Sequence, residues 1–203
     1  MKRFLLEITV FVCGAVVMAF EIVGSRMLGP YVGTSAFVWS SIIGIILLSL
    51  AVGYYAGGRL SDRFPKPVLL AVIILLAAFF MLFTVFIKNI LLDFLTDASG
   101  NIKLISILAS LLLFSPPAVL LGMVSPFAVR LRIHSVTTSG ATAGNLYALS
   151  TLGSILGTFL AGFVLIPSFT ITGIVVKLSL ALMVAGILMF FEKKPDHSTT
   201  VEI

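Results

Sequence analysis

Charge is what this chain has least of: Asp, Glu, Lys and Arg make up 10% of its 203 residues, against about 25% in soluble domains. A surface that must face water cannot be covered with so little charge, which excludes an ordinary soluble fold. The chain holds one cysteine, Cys13, set inside the first apolar run. It has no material for an internal disulfide or a thiolate metal cluster, and no metal site is expected. Its two histidines, His134 and His197, stand apart in a basic stretch and a polar tail, where a lone imidazole is more often solvated than catalytic. No nucleophile pairs with a base by spacing. There is no glycine-rich strand-to-helix turn with a following acidic ribose ligand, so no cofactor and no enzymatic activity are expected.

What the chain has is apolar length: 60% of its residues are hydrophobic and the mean hydropathy is +1.22. With ~20 apolar residues per crossing, the pattern predicts an all-α membrane protein of six transmembrane helices. They fall at about 5–28, 38–56, 68–87, 104–123, 147–166 and 171–191, followed by a short polar tail at 192–203. This is a single transmembrane domain, with the lipid bilayer as its principal partner. The opening Met1-Lys2-Arg3 could begin a signal peptide, but the apolar run lacks a small-residue cleavage pattern and reads as a retained span. The net charge of +5 sits in short connections, where it sets topology rather than binding nucleic acid. Lys2, Arg3, Arg59, Arg63, Lys66, Arg130, Arg132, Lys193 and Lys194 fall on one side, against Arg26, Lys88 and Lys103 on the other. The positive-inside rule then places both termini in the cytoplasm of a cell (inner) membrane.

Within the first span, Glu21 and Arg26 interrupt the hydrocarbon, and an intramembrane carboxylate costs ~2.5–3.5 kcal/mol on insertion scales, which makes it a functional-site candidate. Their separation turns them about 140° apart on a helix, so Glu21 needs a partner from elsewhere. Lys177 of the sixth span matches Glu21 in depth; it either pairs with Glu21 or snorkels to the outer headgroups. Gly29-Pro30 is expected to end the first span, with Tyr31 and Trp39 in the aromatic belt. Ser49, Gly53 and Gly57 recur on one face of the second span as a packing surface, and Gly57 to Pro67 reads as a charged loop. The third span, apolar all round, reads as a lipid-facing scaffold. Lys88 to Lys103 reads as the longest loop, carrying a short interfacial helix at Ile90, Leu91, Phe94 and Leu95. Pro116-Pro117 kink the fourth span and free carbonyls near Leu112 and Leu113, to be compensated by Ser115, a neighbouring helix or water. Gly153, Gly157 and Ala161 give the fifth span a small-residue stripe, which predicts the most tightly packed helix, within the chain or against a second copy.

Two stretches, EIVGSRMLGPYVGTSAFVWSSIIGIILLSLAVGYYAGGRLSDR (Glu21 to Arg63) and GNLYALSTLGSILGTFLAGFVLIP (Gly144 to Pro167), resemble the membrane domain of the spermidine synthase-like membrane proteins. The shared run is Glu21, Arg26, Gly29-Pro30, Ser35, Trp39, Gly53-Tyr54, Gly57-Gly58 and Asp62-Arg63. The resemblance implies a major-facilitator-like half. Gly58 to Arg63 is also similar to the inner loop between the second and third helices of major facilitator transporters, implying that Asp62 and Arg63 brace a gate. The soluble aminopropyltransferase domain of that family has no counterpart in these residues. The first expectation is therefore a non-catalytic membrane subunit that anchors, or exchanges substrate with, a soluble aminopropyltransferase-like partner docking at Arg130 and Arg132. The alternative is a half-size transporter of a small cationic solute working as a homodimer. In a third reading, Glu21, Arg26 and Lys177 form a polar network that only holds helix register.

Overall fold

The computed structural model describes residues 3–133 and 138–191. Within them the chain is helical, with six helices long and apolar enough to cross a membrane. They are α1 (Arg3–Val32), α2 (Ala36–Arg63), α3 (Pro67–Ala98), α4 (Ile102–Arg132), α5 (Ser139–Ser168) and α6 (Ile171–Phe190). His134, His197, Lys2, Lys193, Lys194 and the polar tail lie outside the described residues.

The helices are longer than the hydropathy pattern predicts, and each extension has a local cause. Pro30 does not end α1; the helix passes through it to Val32 and stops at Gly33, whose φ of 74° is a left-handed conformation suited to glycine. The Gly33 N–H closes the end by donating to the Gly29 carbonyl at 2.9 Å. The charged segment expected as a loop forms the last turns of α2, through Arg63, and only Phe64 to Lys66 connect it to α3. Pro67 then occupies the first turn of α3, where its missing N–H removes no helical bond. Neither the long loop nor the separate interfacial helix is present. No glycine or proline interrupts Val68 to Ser99, so Ile90 to Leu95 simply prolong α3, with Leu92 and Leu95 buried. Asn101 caps α4, its side chain accepting from the N–H groups of Lys103 and Leu104 at 3.1 and 3.4 Å.

Packing follows the small residues. On α2, Ser49, Gly53 and Gly57 are buried against α4; a Cβ on Gly57 would sit 2.6 Å from the Met123 Cα, too close for any side chain. On α5, a Cβ at Gly153 or Gly157 would collide with the carbonyl oxygens of Phe11 and Ala15, so the stripe packs within the chain, on α1. The rest of α5 is open, with Leu152, Phe159 and Phe163 exposed. It is thus not the tightest helix: only 17% of its apolar window is buried, against 61% for α1. Conversely α3 buries Leu70, Ala71, Ile74, Ala77, Ala78 and Met81 and packs on α4 and α6, so it is no mere lipid-facing scaffold. In a membrane both the packed and the lipid faces are apolar, so hydropathy alone does not separate them.

The outcome is a bundle with α1 and α4 at its centre, α3 and α6 packed behind, and α2 and α5 as flanks. Each flank leans on one central helix, α2 on α4 and α5 on α1. Their other faces, with Phe37, Leu48 and Tyr55 on α2 and Ile155 and Phe163 on α5, are exposed.

Candidate functional site

The middle layer of the bundle collects the chain's irregularities. Glu21 is 8% exposed on α1, and among the described residues its carboxylate has no hydrogen-bond or ion-pair partner. Its level is fixed by the Phe114 ring of α4, which stands edge-on to Phe20 at 5.3 Å and fills the gap over Gly24, spanning the turn that carries Glu21. At that same turn of α4, the Ser115 hydroxyl lies 2.8 Å from that of Ser49 on α2. Ser49 spends its proton on the Ile45 carbonyl at 2.7 Å, so Ser115 is the donor between the two hydroxyls.

Immediately beyond, Pro116 and Pro117 break the backbone ladder of α4, yet the helix continues. Pro117 leaves the Leu113 carbonyl without its helical donor. Thr84 of α3 supplies one from 3.0 Å, sharing its proton with the Phe80 carbonyl of its own helix. Of the compensations open from sequence, the neighbouring helix is the one used, and Ser115 faces α2 instead. An apolar cavity of about 190 Å³ opens beside the kink, walled by Phe80, Phe83, Thr84 and Pro116.

The third irregularity is on α5. Leu160–Leu165 is wound as a π-helix and packs on α1, with Ala161 fully buried. Since α1 and α5 run in the same direction with Ala15 against Gly157, Glu21 lies roughly 9 Å farther along, level with this π turn. Such turns concentrate at functional sites. A buried carboxylate, a double-proline break and a π turn thus share one layer on three adjacent helices.

The other charges keep away from Glu21. Lys177 is exposed, and its Nζ lies 3.3 Å from the centre of the Phe169 ring, which draws it toward the end of α6 nearest Phe169. Of the two sequence expectations for it, snorkelling matches the geometry and the Glu21 pair does not form. Arg26 is exposed as well. The three-residue polar network is therefore not assembled.

At the opposite level, where the N-terminus of α1 and the C-termini of α2 and α4 meet, two ion pairs tie the helices. Arg130 Nε is 3.2 Å from Asp62 Oδ1, joining α4 to α2. Arg132 Nη2 donates to Glu7 Oε1 at 2.8 Å, joining α4 to α1. Both arginines expected to dock a partner are thus engaged inside the chain. Of the motif residues, Asp62 is the one paired with another helix, through Arg130, whereas Arg63 is exposed and Gly58 has open space around it. Glu7 escaped the sequence reading. Its signal was there: Glu7 and Glu21 stand close to four helical turns apart and so share a face of α1. Among the described residues no three His, Cys, Asp or Glu side chains gather as metal ligands would.

No family model, curated protein or solved structure matches this chain. Its functional reading rests on the geometry above.

Proposed function

We propose that the chain is one half of a transporter for a small cation, with Glu21 as the cation or proton site. The observation that carries this is the isolated Glu21 carboxylate, buried in the layer where two prolines remove backbone donors inside α4 and α5 is π-wound. A charge left bare among apolar groups is costly, so the carboxylate favours either a proton or a bound cation, and exchange between the two is the elementary act of coupled transport. Weakened hydrogen-bond ladders within two continuous helices supply the other requirement, since they let α4 and α5 bend about the site.

In this reading the termini are cytoplasmic, and the Asp62–Arg130 and Glu7–Arg132 pairs latch the inner ends of α2, α4 and α1. The exposed faces of α2 and α5 receive a second six-helix unit, which a second copy related by a two-fold along the membrane normal provides. Purified protein in liposomes should accumulate labelled small amines above empty liposomes when a proton gradient is imposed. Absence of uptake across monoamines, diamines and polyamines would overturn the proposal.

A second reading keeps some support. The likeness of Glu21 to Arg63 and Gly144 to Pro167 to the spermidine synthase-like membrane domain favours a non-catalytic subunit that anchors a soluble aminopropyltransferase-like partner. With Arg130 and Arg132 engaged internally, docking would fall to the exposed Arg59, Arg63 and Lys66. Affinity capture from native membranes separates the two readings: a stoichiometric soluble partner favours the anchor, and the chain recovered with only itself favours the transporter.

A further inference from the structure

Pro116 does to Leu112 what Pro117 does to Leu113. Having no N–H, it leaves the carbonyl four residues earlier without its helical donor, and its ring pushes that carbonyl off the helix axis. Thr84 serves Leu113, and its single proton is already divided between the Leu113 and Phe80 carbonyls, each at 3.0 Å. Among the described residues no side chain donates to the Leu112 carbonyl. A carbonyl without a donor is costly in hydrocarbon.

Leu112 and Pro116 form one wall of the apolar cavity of about 190 Å³, and Phe80, Phe83, Ile87 and Leu91 of α3 form the other. None of the residues lining it carries a charge. The rings on the α3 side are held by a third: Phe79 stands edge-on to Phe80 at 5.7 Å and stacks on Phe83 at 6.2 Å. Phe83 and Leu112 are exposed, so the cavity opens toward the bilayer. An engineered apolar cavity of about 150 Å³ takes up benzene, so a single six-membered ring with a small substituent fits here. By chemistry the cavity offers acceptors and no donor, since the Leu112 carbonyl has no proton and that of Thr84 is taken. An acyl chain fills the volume but leaves the carbonyl bare, and an ammonium ion would be buried there with no carboxylate beside it.

We propose that this cavity binds a neutral phenol, a single aromatic ring carrying a hydroxyl, with the ring against Phe80 and Phe83 and the O–H donating to the Leu112 carbonyl. Aromatic walls favour edge-on or offset contact with the ring, and the hydroxyl returns to α4 the donor that Pro116 removes. Glu21 is not among the lining residues, so the site stands whether or not the chain transports cations.

The test is photolabelling of the purified full chain in detergent with phenyl(trifluoromethyl)diazirine, a ring without a donor, the labelled residues being mapped by mass spectrometry and the label competed with phenol, anisole or toluene. Anisole and toluene keep the ring and lack the O–H. With each competitor counted by its concentration in the micelle, phenol should half-displace the label from Phe80, Phe83, Ile87 and Leu112 at about five-fold lower concentration than the other two, the effect of one hydrogen bond. Pro116→Ala gives Leu112 its helical donor again and should remove that advantage while leaving half-displacement by toluene unchanged. Ile87→Trp, which fills the cavity, should abolish displaceable labelling altogether. Equal half-displacement by all three competitors, an advantage for phenol that survives Pro116→Ala, or labelling that no competitor displaces overturns the proposal. The wild-type comparison decides even if Pro116→Ala does not fold.

Discussion

The Thr84 hydroxyl of α3 lies 3.0 Å from the Leu113 carbonyl of α4, the carbonyl that Pro117 deprives of its helical donor. One side chain on one helix thus makes a break in another tolerable, and both lie in the layer that holds Glu21. Replacing Thr84 with Val keeps the shape and removes the proton. Hydrogen bonds between membrane helices are worth ~0.6–1.7 kcal/mol, so Thr84→Val should destabilise the protein by about 1 kcal/mol in a reversible unfolding titration. Thr84→Ser should stay near wild type. Adding Pro117→Ala to Thr84→Val should recover most of the loss, because the helix then supplies its own donor; equal losses in the single and double variants would refute the link.

The contact of α5 with α1 gives a sharper contrast between neighbouring glycines. Gly153 faces the Phe11 carbonyl, whereas Gly162 has open space around it. Gly153→Ala should cost about 1–3 kcal/mol through overpacking, and Gly162→Ala should stay within ~0.5 kcal/mol of wild type. Chemical unfolding of both variants checks this, and equal effects would contradict the assigned α1–α5 interface.

The two ion pairs at the basic end should differ in strength. Asp62 and Arg130 are both well exposed, with side-chain exposures of 74% and 46%, so solvent screens them and a double-mutant cycle should return roughly 0.2–1 kcal/mol. Glu7 and Arg132 are less exposed and closer, so their coupling should be larger and should fall less when salt is raised. A coupling for Asp62–Arg130 that exceeds that of Glu7–Arg132 would contradict the described exposures.

Six spans and a membrane setting were legible in the sequence because hydrocarbon length leaves a signal that nothing else imitates. The small-residue face of Ser49, Gly53 and Gly57 was legible too, since close helix approach requires it at that spacing. Helix ends were misread where proline and glycine were taken as terminators. Pro30 stands inside α1, because in an apolar surrounding a continuing helix keeps more backbone groups bonded than a break does; Pro116 and Pro117 stand inside α4, where the sequence reading put them. The π turn at Leu160–Leu165 has no residue signature in LAGFVL. It packs on α1, a contact that composition does not encode. Glu7 was overlooked for a different reason: a charge so near a helix start looks solvated, and its role depends on Arg132, distant in sequence and brought near by the fold.

Glu21 carries the central claim, and one pair of measurements on one variant tests it most directly. Glu21→Gln keeps size and polarity and removes the charge, so amine uptake into liposomes and unfolding midpoint should be measured together. With no partner to lose among the described residues, the variant should fold with an unchanged or raised midpoint, while gradient-driven uptake should fall to the level of empty liposomes. Uptake at the wild-type rate, or loss of folded protein with the charge, would contradict the assignment of Glu21 as the transport site.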